Sequence, residues 1–82
     1  MKIGDKLLKE LSKCYEPEST IDKKFGRYDL TFRTDADGNP IMLFIGSRNA
    51  QGRIIGERFT RVMVRDPSGK VLKDHWDAKG RA

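Results

Sequence analysis

The chain has 82 residues, a formal net charge of +5 and a single cysteine. A chain of this length forms one small domain, with little core left over to wall a deep substrate pocket. One cysteine excludes an internal disulfide and any cysteine-based metal cluster, and suits a reducing compartment. No apolar run approaches the roughly 18 residues of a membrane span, and the charged N-terminus is unlike a signal peptide, so the expectation is a cytoplasmic protein without membrane contact.

The first segment, residues 1–16, reads as a helix. Ile3, Leu7, Leu8, Leu11, Cys14 and Tyr15 recur at helical spacing and make one apolar face, opposite Lys2, Lys6, Lys9, Glu10 and Lys13. Asp5 is the expected N-cap, and Glu16-Pro17 the expected end, because a residue before proline is pushed out of helical geometry. On this reading Cys14 is a small core residue rather than a reactive thiol.

Residues 17–24 are polar and read as a connector. From Phe25 the period becomes two, and residues 25–77 divide into four strands, with residues 78–82 a tail. All eight arginines lie after residue 24, so the positive balance belongs to the strands. The expected fold is α+β: an N-terminal helix packed on a four-stranded antiparallel β-meander.

A four-residue pattern, Asp or Asn, two variable residues and then Gly, occurs at Asp35–Gly38, Asn49–Gly52, Asp66–Gly69 and Asp77–Gly80. A calcium loop does not fit it. Asp35, Asp37 and Asn39 match positions 1, 3 and 5, but Pro40 replaces the required glycine and Gly46 the required glutamate. Hairpin turns do fit: Asp or Asn bonds its own backbone, and the glycine takes a left-handed conformation that closes a three-residue loop. The first three copies lie between consecutive strands, so no metal is expected there.

With such turns the register follows by counting. Phe32 faces Met42, Met42 faces Thr60, and Thr60 faces Trp76. One face then collects Tyr28, Leu30, Phe32, Met42, Phe44, Val62, Val64, Leu72 and Trp76, as the seat for the helix. The other collects Ile41, Leu43, Ile45, Phe59, Met63 and Val71 among Arg27, Arg33, Arg61, Arg65, Lys73 and His75. An apolar strip with a basic rim points to a contact surface. Its candidate residues are Arg33, Phe59, Arg61, Arg65 and Lys73. Nucleic acid fits them, with arginines on phosphates and Phe59 or His75 stacking on bases. A second copy packed sheet to sheet also fits, as does a sheet curled over its own strip.

Residue chemistry argues against an enzyme. His75 is the only histidine, the register sets no serine or cysteine beside it, and no glycine-rich phosphate loop opens a helix. No cofactor and no small-molecule substrate are expected. The sequence points to a small basic binding module whose leading partner is nucleic acid, with a protein–protein or self-association module as the alternative.

Overall fold

The computed structural model describes residues 4–81. Lys2, Ile3 and Ala82, parts of the expected helix and tail, lie outside the described residues. The element order is α1 (Asp5–Leu11), β1 (Thr20–Phe25), β2 (Tyr28–Thr34), β3 (Pro40–Arg48), β4 (Ile54–Arg65) and β5 (Val71–Arg81). The strands form one antiparallel sheet in the order β1-β2-β3-β4-β5. The chain is thus mostly β, with one short helix on a five-stranded meander rather than the four strands expected.

The fifth strand is β1, which lies inside the expected connector except for Phe25. Ile21, Lys23 and Phe25 form its inward row, and the lysine there hides the alternation. Lys23 tolerates the position because its ammonium pairs with Glu10 of α1 and lies 5.3 Å from the Tyr15 ring. Hydrogen bonds from Lys23 and then Lys13 hold the Glu10 carboxyl down at about 2. The β1–β2 turn has two residues, since Phe25 pairs directly with Tyr28. Gly26 at the first central position has φ of 60°, as a type II′ hairpin requires.

The helix ends at Leu11, short of Glu16-Pro17. Ser12 caps it, with its hydroxyl donating to the Leu8 carbonyl at 2.7 Å. The chain then turns so that Tyr15 packs on Phe32, with ring centroids 4.8 Å apart. The N-cap is Gly4, not Asp5. Cys14 is exposed beyond the helix, its thiol 3.6 Å from Asn39 Oδ1, and is no core residue. Residues 15–19 are fastened to the β2–β3 corner. The Tyr15 N–H donates to the Gly38 carbonyl at 2.8 Å, and buried Thr34 donates to the Glu16 carbonyl at 2.6 Å.

The three inter-strand corners are turns, as expected. Gly38, Gly52 and Gly69 have φ of 82°, 80° and 90°. Each opening Asp or Asn accepts backbone N–H groups through its side-chain oxygen. The fourth copy makes no corner: β5 runs on through it, and Gly80 (φ 89°) sits where the β4–β5 register shifts.

Two further shifts decide the faces. Thr34 pairs with Pro40 but Arg33 with Met42, so Ile41 is an extra residue on β3. Arg65 pairs with Val71 but Val64 with Lys73, so Leu72 is extra on β5. A one-residue slip exchanges the two faces of everything after it. Phe32 therefore faces Leu43, not Met42, and Leu30 faces Ile45. The β3–β4 register is as counted, with Met42 on Thr60 and Gly46 on Gly56. The core beneath the helix is Leu7, Leu11, Leu30, Phe32, Leu43, Ile45 and Phe59, flanked by Tyr15, Ile21, Phe25, Tyr28 and Trp76. Met42, Phe44, Val62 and Val64 are on the opposite face, contrary to the count.

Gly46 and Gly56 stand opposite each other where β3 and β4 come closest. A Cβ on Gly46 would overlap the Ile55 carbonyl, and one on Gly56 the Ile45 carbonyl. Only glycine allows that approach.

Candidate functional site

On the covered face two cations, Lys23 and Arg61, are paired within the fold. Arg61 shows this most clearly. Its Nε and Nη2 bond Asp74 Oδ1 and Oδ2 at 2.6 and 2.7 Å. Its Nη1 reaches the Leu11 and Pro40 carbonyls, each at 3.2 Å, and its guanidinium lies 5.7 Å from the Trp76 ring centroid. The side chain is 6% exposed. The Arg61 hydrogen bonds, opposed by partial burial, hold the Asp74 carboxyl below its usual range. Arg61 therefore ties the end of α1, the start of β3 and strand β5 together, and cannot offer its donors to a ligand.

The open face carries the even-numbered residues of β3 from Met42 on, and those of β4. Reading across it, Thr31, Phe44 and Arg58 form one row, followed by Arg33, Met42, Thr60 and Asp77. Val62 with His75 and Val64 with Lys73 continue it toward the far end. The acids of this face are engaged. Asp22 accepts from Thr31 and Arg48, Asp29 pairs with Lys24 and accepts the Arg48 N–H, and Asp77 bonds His75 at 3.1 Å. Arg33, Arg58 and Lys73 make no ion pair among the described residues. Each stands directly across from an apolar side chain: Met42, Phe44 and Val64 respectively.

Of the residues singled out from the sequence, Arg33 and Lys73 are on this face and exposed. Phe59 is not: it is 3% exposed in the core, placed there by the shift at Ile41. Arg61 is on the covered face, spent on Asp74. Arg65 is at the far end of β4, its guanidinium turned back toward the Gly69 carbonyl at 3.4 Å. Leu43 and Ile45, expected beside the patch, are in the core. In their place the open face presents Arg58, Met42 and Phe44. Their signal is one of register: with β3 and β4 slipped by one residue, alternation assigns them to this face.

Beyond Thr60, β4 has no partner on β3, so Val62–Arg65 and Val71–His75 form a two-stranded arm. Val62, Val64, Val71 and Leu72 are all exposed on it. At the other end of the open face is a half-open cleft of about 590 Å³, with Phe44, Ile54, Asp22, Arg48 and Arg53 among its lining.

Among the described residues, no group of three or more His, Cys, Asp or Glu could hold a metal ion. No helix there is long and apolar enough to cross a membrane. Comparison with family models, with curated proteins and with solved structures gave no match.

Proposed function

We propose that this chain is a non-enzymatic binding module that takes single-stranded nucleic acid across the open face of its sheet. One observation carries the reading. Every aspartate of that face is already engaged, while Arg33, Arg58 and Lys73 make no ion pair among the described residues and stand beside apolar side chains. Phosphates satisfy such cations, and unstacked bases cover Met42 and Phe44, which is the division of labour on single-strand platforms. A duplex hides its base faces, and α1 is only seven residues long, with Leu7 and Leu11 held in the core. The site residues on this reading are Arg33, Arg58 and Lys73 for phosphate and Phe44 for stacking.

The test is anisotropy titration of mixed-sequence single and double strands at several salt concentrations. Three phosphate contacts on a single strand give a log–log salt slope of about −2. Absence of binding to any strand at low salt would overturn the reading.

The arm favours a second reading, association of two copies. Exposed Val62, Val64, Val71 and Leu72 are concentrated there, and the outer edge of β5 has no strand beside it among the described residues. Sedimentation equilibrium distinguishes the two: a dimer that Leu72→Arg converts to monomer, without loss of strand binding, assigns the arm to association.

A further inference from the structure

The cleft at the β1 end of the open face has a chemistry of its own. Its floor is apolar, formed by Phe44 and by Ile54, which is buried although it belongs to the open face. Its wall is a fixed polar network. Thr31 donates to Asp22 Oδ1 at 2.6 Å. Arg48 Nη2 reaches the same oxygen at 3.3 Å and Thr31 Oγ1 at 3.0 Å, while Nη1 donates to the Gly52 carbonyl at 2.6 Å. Arg48 thereby ties the β3–β4 turn to β1 along one side of the cleft. At the mouth, Arg53 is exposed and makes no ion pair among the described residues.

Asp22 is the informative group. Both described hydrogen bonds to it end on Oδ1. Oδ2 accepts nothing among the described residues, on a carboxylate whose orientation Thr31 and Arg48 already hold. An ionised carboxylate only accepts, and its oxygen has two lone pairs for N–H donors. A flat apolar floor, an oriented acceptor at one side and a cation at the mouth match one nucleotide: the base on Phe44, its edge on Asp22, its phosphate on Arg53.

We infer that this cleft seats one base of the bound strand and that Asp22 makes it select guanine. The inference rests on the single-strand reading above and adds base selectivity to it. Guanine carries N1–H and N2–H₂ side by side, two donors for one acceptor. Adenine and cytosine set a ring-nitrogen acceptor next to their amino group, and uracil flanks its one N–H with carbonyl oxygens. Each of these offers one N–H where guanine offers two and sets a lone pair beside it; with the Asp22 side chain 66% exposed, the difference is in the hydrogen bonds made.

The experiment uses the full chain and a set of uracil oligomers of one length, each with a single central guanine, adenine, cytosine or uracil. The expected result is tightest binding to the guanine oligomer, by about tenfold, the scale of one good side-chain–base pairing. Asp22→Asn, which replaces one acceptor oxygen by a donor, abolishes the preference while the salt slope stays the same. Thr31→Val, which frees Asp22 to turn, is a second variant in case Asp22→Asn fails to fold; it lowers the guanine ratio more than the overall affinity. Equal binding of all four oligomers by the parent chain would overturn the guanine inference and leave the open-face reading standing. A preference that survives both substitutions would remove Asp22 from it. Failure of every oligomer to bind would overturn both.

Discussion

Arg61 and Arg58 are three residues apart on one strand and point to opposite sides of the same sheet. Arg61 is enclosed, doubly bonded to Asp74 and capping two carbonyls from other elements. Arg58, partly buried across from Phe44 on the open face, makes no ion pair among the described residues. Both add one charge to a basic chain, so composition does not separate them. What separates them is whether the fold has supplied a counter-charge. Where it has, the arginine is a structural tie. Where it has not, the charge is available to a partner. The two phenylalanines repeat the contrast, with Phe32 fully buried under the helix and Phe44 half-exposed on the open side.

The largest expected effect breaks the covered face. Phe32→Ala should destabilise by about 3–5 kcal/mol, read by urea denaturation, because it empties the centre of a core that cannot collapse around the gap. Phe44→Ala should cost much less stability but lose about 1–3 kcal/mol of strand binding through stacking. Equal stability losses would mean that the two faces are not distinct.

Arg61→Ala comes next. Losing charged hydrogen bonds at a nearly enclosed site should cost about 2–3 kcal/mol, reduced on the Asp74 side because that carboxylate is partly exposed. The effect has a pH signature. Asp74 is depressed in the folded state, so the tie contributes in full above the ordinary Asp range near 4 and fades as pH falls through the lower folded value. The gap between parent and variant should therefore narrow on acidification, and a gap independent of pH would deny the pair its role.

The corners give a smaller contrast. Gly52→Ala meets nothing within 4 Å and should cost only its left-handed strain, about 1–2 kcal/mol. Gly38→Ala should cost more, since its Cβ would overlap the Tyr15 carbonyl and loosen the segment after the helix. Thermal melts of the two variants check the order.

The smallest effect on stability carries the most about function. Arg58→Ala should leave folding within about 0.5 kcal/mol of the parent. It should also reduce the single-strand salt slope by about 0.7, the loss of one phosphate contact.

Much of the fold was legible in the chain, and the reason the site was not is specific. The helical stripe led to Leu7 and Leu11, and the Asp/Asn-x-x-Gly pattern to three corners with positive φ. The counted β3–β4 register holds as well. The error entered at Ile41 and Leu72, the extra residues that follow two of those corners. Neither has a local signature: Pro40–Ile45 is apolar on both sides of its strand, and Val71-Leu72 sets two apolar residues in a row, so pattern alone does not reveal the slip. The first slip put Phe59 and Arg61 on the wrong face. The second reversed it, which is why Trp76 and Lys73 are still where simple counting places them, while Arg33, on β2, precedes both slips. β1 was hidden by Lys23, an inward lysine made tolerable by Glu10, a partner 13 residues away.

The most direct measurement is a map of binding by NMR, following backbone and methyl signals as a short single strand is added to the labelled chain. Shifts are expected at Met42, Phe44, Arg58 and Val62, with Leu7, Leu11, Phe59 and Arg61 unchanged. Shifts confined to α1 and the covered face, or none on the open face at saturating strand, would contradict binding at the open face.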